Sequence, residues 1–248
     1  MEMKIRVIAC CKNEEEMLPF FLQHYSMFAD EILIFDGGST DNSHEIIAAN
    51  SKAKLYIKNE PEMDERNLTY VRNEAYKVGR ENWDWQIIVD IDEFVCHPFI
   101  RYFLEAKMLK GFTIATVKGF DMYSLEFPKF DPARTIVDQI KTGKSNDQWQ
   151  SKRCVFNPAK VDINYEFGCH NSRPTGDVIE TPEAEIFLLH YNYCGYDHFI
   201  KRHKFNAARM SKFNKTHNLA YHIPMFSTMT RKEFEKKVAT ESEPLSFI

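Results

Sequence analysis

Short β-branched apolar runs alternate along this chain with stretches in which apolar residues recur at helical spacing. Residues 4–11 are the first such run and predict a strand. Lys12-Asn13-Glu14-Glu15-Glu16 follows, an acidic cluster suited to a helix N-terminus, where the macrodipole favours negative charge. Met17, Leu18, Phe20, Phe21, Tyr25 and Phe28 then predict an amphipathic helix packed on a sheet. A second strand is expected over 31–35, a turn at Asp36-Gly37-Gly38-Ser39-Thr40-Asp41, a helix over 43–49 and a third strand over 54–58.

Strands and helices in this order argue for a parallel sheet with right-handed crossovers. A long helix is expected over 68–79 and a fourth strand over 85–89. The run Gln86-Ile87-Ile88-Val89 belongs in the sheet centre, because it is apolar on both faces. That strand ends at Asp90-Ile91-Asp92-Glu93-Phe94. A helix over 98–109 and a strand over 112–118 come next. Over 123–147 the pattern weakens, and Pro128, Pro132 and Gly143 predict a long connection. Later strands are expected over 152–156 and 186–190, alternation over 164–167, and a C-terminal helix over 196–212. Neither a repeat nor a linker interrupts the chain, so residues 1–248 read as one domain.

Apolar residues make up 44% and charged residues 27% of the 248, the balance of a folded chain. The net charge of −4 and the lack of a recognisable binding module argue against nucleic acid as a partner. The longest apolar runs are too short to span a bilayer, and the N-terminus enters a strand without a signal-peptide pattern. The expected location is therefore cytoplasmic. The six cysteines include no C-x-x-C pair and read as reduced thiols. Locally, Lys201-Arg202-His203-Lys204, Arg209, Lys212 and Lys215 sit in a stretch with no acid between His198 and Ala220. That stretch reads as a solvated face, a lid over phosphates, or a peripheral contact with anionic lipid.

Chemistry concentrates at Asp90-x-Asp92. Ligands of an open parallel sheet sit at the carboxyl ends of its strands, where these carboxylates fall. As hard oxygen donors they suit Mg²⁺ or Mn²⁺, although a solvated acidic turn has the same pattern. Asp36, at another strand end, can accept from a base N–H or a ribose hydroxyl, while Asp41 or Ser43 caps the next helix.

Ile8-Ala9-Cys10-Cys11-Lys12-Asn13-Glu14, Phe35 to Asp41, Arg72-Asn73, and Val89-Asp90-Ile91-Asp92-Glu93-Phe94 resemble, in order and spacing, family 2-like glycosyltransferases of the GT-A fold. The resemblance covers residues 4–109, with Gly37 standing where many relatives carry a second acid. A looser likeness to bacterial and phage members rests on Lys152-Arg153-Cys154-Val155-Phe156-Asn157-Pro158, Gly168-Cys169-His170 and Leu188-Leu189-His190-Tyr191.

That resemblance implies an α/β, Rossmann-like, mostly parallel sheet flanked by helices, with a small mixed extension on the acceptor side. Residues 1–110 would bind the nucleotide-sugar and residues 111–248 the acceptor. Asn13 and Asp36 would line the nucleoside pocket, and Arg72 would face the diphosphate. Asp90 and Asp92 would hold metal and nucleotide, with His190 as a third metal ligand. Lys152 would contact the leaving phosphates, and Glu93 would support the loop. His170 and Glu166 are the candidate bases, with Asp121 a third choice. The activity implied is an inverting, Mn²⁺- or Mg²⁺-dependent transfer from a nucleotide-diphosphate sugar to a saccharide or lipid-linked hydroxyl, as in cell-surface polysaccharide biosynthesis. A non-catalytic glycan- or nucleotide-binding module and a methyltransferase are the rival readings.

Overall fold

The apolar runs become strands, and their order along the chain decides which ends meet. The computed structural model describes residues 2–247. The first part comprises β1 (Ile5–Cys11), α1 (Leu18–Ser26), β2 (Glu31–Asp36), α2 (Ser43–Ala48), β3 (Ala53–Ile57), α3 (Glu65–Glu74), β4 (Trp85–Asp90), β5 (Glu93–Cys96) and α4 (Ile100–Leu109). Then follow β6 (Ile114–Ala115), β7 (Val117–Ser124), α5 (Ile136–Gln139), β8 (Thr142–Ser145), β9 (Val155–Phe156), β10 (Val161–Asp162) and β11 (Thr175–Gly176). The chain closes with β12 (Ile186–Cys194), α6 (Tyr196–Ala208), α7 (Lys212–Thr216), α8 (His222–Phe226), α9 (Arg231–Glu241) and β13 (Glu243–Pro244).

A six-stranded sheet runs β3-β2-β1-β4-β9-β6, with β1 to β4 parallel and β9 antiparallel to both its neighbours. β1 and β4 are buried along nearly their whole length, as their continuous apolar sequence requires. A second sheet, β13-β8-β7-β12-β5, is mixed. The parallel α/β core is thus as expected, whereas the small extension is a sheet of five strands. One apolar cluster extends from β1, β2 and β4 to β7 and β12.

The chain passes between the sheets at two points. After β4, Ile91 and Asp92 carry it into β5, which Tyr25 of α1 fastens through its hydroxyl to Glu93 O (2.9 Å) and Val95 N (3.0 Å). The expected strand over 112–118 divides likewise. Ile114–Ala115 joins the first sheet and Val117–Ser124 the second, because Thr116 turns aside to bond Thr181 through its N–H and hydroxyl.

Other boundaries move for local reasons. α3 begins before residue 68 because Asp64 caps it, accepting from Arg66 N, and the chain turns at Gly79 (φ 61°). The connection over 123–147 contains α5, closed by a Thr135–Asp138 capping box, and β8. Only Val155–Phe156 of 152–156 pairs, while β12 continues to Cys194. Over 164–167 there is a single bridge, Tyr165 to Ser172, and no strand. The C-terminal helix stops at Ala208, and Ser211 caps a separate α7.

Candidate active site

Register brings the site together. Cys11 lies level with Asp36, Cys10 with Asp90, and His190 with both Glu93 and Asp121. The carboxyl ends of β1, β2 and β4 therefore face the acidic turn between the sheets and the middle of β12. A cleft of about 560 Å³ opens there, and its lining includes Asp36, Arg72, Asp90, Asp92, His170 and His190.

Asp92 is 2% exposed. Its Oδ2 lies 3.2 Å from His190 Nε2 and also accepts from Arg202 Nη1. Burial by itself would raise this carboxyl, but Arg202, followed by His190, holds it well below the usual carboxylate range. Arg202 reaches in from α6 and donates through Nε to Glu14 Oε1 at 2.9 Å. On the far side of the imidazole, His190 Nδ1 lies 3.0 Å from Asp121 Oδ1 and 2.8 Å from Gln150 Nε2. Burial would depress His190, yet the carboxylates of Asp92 and Asp121 push it up to about 10. Asn146 supports Asp121 Oδ2 at 2.7 Å. Gln150 packs here because residue 119 is glycine: a Cβ at that position would fall 2.2 Å from the Gln150 carbonyl carbon.

Arg72 comes from α3, is buried, and pairs with Asp90. Burial raises the Asp90 carboxyl, but Arg72 and then Lys152 bring it below its ordinary value. Lys152 lies beneath the acidic turn. Its Nζ donates to Glu93 Oε1 at 2.6 Å, while Glu93 Oε2 accepts from Asp90 N at 2.9 Å. Both members of that pair are buried. Lys152, expected to contact leaving phosphates, here pairs with Glu93, since a buried ammonium needs a carboxylate partner.

Asp36 and Asn13 also turn inward. The Asp36 carboxylate, 0% exposed, accepts from Gly38 N, Ser39 N, Ser39 Oγ and His44 Nε2. Three of these bonds fall on Oδ2 and shape the Gly37-Gly38 turn, while Oδ1 accepts only from Ser39 Oγ. Asn13 adopts φ 55°, and its Oδ1 accepts from Thr40 N at 2.7 Å, which clasps the same turn from β1. Its side chain is not part of the cleft lining.

The two base candidates separate. Glu166 lies outside this cleft and pairs with Arg173, which fits an exposed carboxylate. His170 lies in the cleft with Nδ1 2.6 Å from the Trp149 carbonyl. That carbonyl can only accept, so Nδ1 carries the proton and Nε2 the lone pair. Burial, then Lys152, lowers its pKa and keeps the ring neutral. Arg202 and Glu14 are the functional candidates that the sequence did not single out. Arg202 was one of several basic residues in a helix, and Glu14 one of three consecutive acids, with nothing local to distinguish either. The basic stretch itself divides, Lys201 pairing with Glu16 while Arg202 points into the cleft.

The donor chemistry fits a divalent cation in part. Two adjacent ligands of an octahedral ion, each about 2.1 Å from it, stand about 3 Å apart, close to the Asp92–His190 separation. Asp121 at Nδ1 stands where an outer carboxylate would orient a ligating histidine. Among the described residues no three His, Cys, Asp or Glu side chains converge as a metal cage. A cation between Asp92 and His190 would have to take the place of the Nε2 proton, with substrate phosphates and water supplying its other ligands.

The model of the family described as glycosyltransferase family 92 matches residues 13–225. No curated protein matches the chain. Among solved structures, residues 1–349 of Staphylococcus aureus TarS in complex with UDP-GlcNAc align at 12% identity over 96% of this chain and 74% of that one, with a TM-score of 0.44. Glucosyl-3-phosphoglycerate synthase from Mycobacterium tuberculosis, in complex with Mn²⁺, UDP and glucosyl-3-phosphoglycerate, aligns at 21% identity over 48% and 44%, with a TM-score of 0.32. Mannosyl-3-phosphoglycerate synthase from Rubrobacter xylanophilus aligns at 16% identity over 49% and 41%, with a TM-score of 0.35.

Proposed function

The chain belongs to glycosyltransferase family 92, and from that premise we propose that it moves a sugar from a nucleotide-diphosphate donor to a saccharide hydroxyl, with inversion and with a divalent cation. The observation that carries this reading is the convergence of Asp92, His190, Arg202 and Arg72 on one cleft at the carboxyl ends of β1, β2 and β4. The motif order shared with family 2-like enzymes of the GT-A fold supports the donor side of the assignment. The chain works as one catalytic domain, with residues 1–110 holding the nucleotide and 111–248 the acceptor.

Asp92 and His190 would hold Mn²⁺ or Mg²⁺, with Asp90 beside them. When bound, the cation offsets the charge that develops on the departing diphosphate. Arg72 and Arg202 keep Asp90 and Asp92 ionised and add cationic guanidinium edges facing the phosphates. Lys152 and Glu93 hold the acidic turn rigid beneath them. His170, neutral and protonated on Nδ1, accepts the acceptor hydroxyl proton on Nε2 as that oxygen attacks the anomeric carbon. The work is cytoplasmic.

Calorimetry with UDP, GDP and related nucleotides, with and without Mn²⁺, tests the reading. Metal-dependent nucleotide binding is expected, followed by metal-dependent donor hydrolysis across a panel of nucleotide sugars. Binding of sugars alone, or metal-independent binding of S-adenosylmethionine, would sink it in favour of a glycan-binding module or a methyltransferase.

A further inference from the structure

Charge is segregated along the cleft. Five lysines and arginines line it: Lys12, Lys58, Arg72, Arg202 and Arg209. All come from the β1–β3 side, from α3, or from α6 and its C-terminal end. A further stretch of wall is built by residues 146–170 and 218–226, and the side chains they bring to the lining include no lysine, arginine or carboxylate. What this wall offers instead is exposed ring surface and neutral amides. Trp149 is 41%, Phe167 47% and Tyr221 56% exposed, although all three are large and apolar. Asn146 and Asn218 lie among them. Lys152, near enough to His170 to lower its pKa, is buried and bound to Glu93. The charged groups that touch this side are Asp121, bonded to Asn146; Glu65, which accepts from Gly168 N at 3.1 Å; Arg72, which reaches Cys169 Sγ but pairs with Asp90; and His190, which lies 2.8 Å from Gln150 and is held between Asp92 and Asp121.

Resting on the transferase reading above, we propose that the acceptor is a neutral saccharide whose apolar ring face stacks on Trp149, Phe167 and Tyr221, and that acceptors bearing a phosphate or uronate at this wall are rejected. Sugar C–H faces match aromatic rings, and hydroxyl edges match amides. An anionic group here would lose water, would find the cations within reach already paired with carboxylates, and would face Asp121 and Glu65, which discriminates against it. The histidines of the wall do not alter this, because burial keeps His170 and His222 largely neutral at pH 7.

The test uses matched acceptors: methyl glycosides of neutral hexoses against the corresponding uronates and 6-phosphates, with a donor that the wild-type enzyme hydrolyses. Transfer is read by mass spectrometry and binding by saturation-transfer NMR. Neutral acceptors are expected to have kcat/KM at least about 10-fold higher, and Trp149→Ala to raise the acceptor KM about 10-fold, with Trp149→Phe recovering most of it. Equal or better use of an anionic partner, an unchanged acceptor KM in Trp149→Ala, or donor hydrolysis without transfer to or contact with any neutral saccharide overturns the proposal. Each of those outcomes leaves donor turnover intact. Absence of any nucleotide-sugar binding is a different failure, that of the transferase reading itself.

Discussion

Arg202, on α6, donates to Asp92 Oδ2, the same oxygen that lies 3.2 Å from His190 Nε2. The pair spans 110 residues of sequence and ties the C-terminal helices to the turn where the chain leaves one sheet for the other. Removing one partner of a buried pair leaves an uncompensated charge, which costs far more than an exposed pair contributes. Arg202→Ala strands both Glu14 and Asp92 and is expected to lose about 3 kcal/mol of stability. A urea midpoint equal to that of the wild type would contradict this.

Asp92 lines the cleft but is itself buried. Truncation to alanine therefore disturbs Arg202 and His190 together, and Asp92→Asn is the cleaner variant. It keeps the shape but removes the charge needed to hold a cation. Nucleotide affinity in Mn²⁺ should fall at least about 100-fold, while the thermal midpoint shifts by only a few degrees. Unaltered metal-dependent binding by calorimetry would remove Asp92 from the metal site.

Lys152 and Glu93 test support beneath the turn. Lys152→Met leaves Glu93 buried and unpaired and should cost about 3–5 kcal/mol. Adding Glu93→Gln neutralises that carboxylate, so the double variant should be more stable than the sum of the single changes by about 1 kcal/mol or more. Strict additivity in denaturant melts would show that the pair is not coupled.

His170→Gln keeps a polar side chain but lacks a proton acceptor of suitable basicity. The expected result is a kcat about 10²–10⁴-fold lower, with donor KM changed by no more than a few-fold. A wild-type kcat in single-turnover transfer would exclude His170 as the base.

Two buried histidines set an acid limit. His24 Nε2 donates to Val95 O at 2.9 Å, while its Nδ1 is buried without a partner. Burial lowers His24 to about 4 and His203 to about 3, from an ordinary value of 6.5. The unfolded chain therefore binds these protons first. The stabilisation is fully present above pH 6.5 and is lost as pH falls towards 4 and then 3. Each site contributes on the order of 3 kcal/mol over that range. Urea midpoints should drop between pH 7 and pH 4.5, and less steeply in His24→Gln. An unchanged midpoint would contradict the assignment.

The sequence by itself determined the parallel core, the order of its strands and the location of Asp36, Asp90 and Asp92 at strand ends. Those features follow from apolar periodicity and from turn residues, which act over a few positions. Tertiary structure decided which partners each of these groups has. Asp36, Asn13 and Lys152 stand out in sequence as candidate binding residues, and only the fold shows that they bond Gly38 and Ser39, Thr40, and Glu93. Arg202 looks like one basic residue among several until α6 carries it to Asp92. The same holds for His190, which meets Asp92 and Asp121 only because β12 pairs with β5 on one side and β7 on the other. A charge removed from water must find an opposite charge wherever the fold supplies one, and that choice is made across the sheets, beyond the reach of any local pattern.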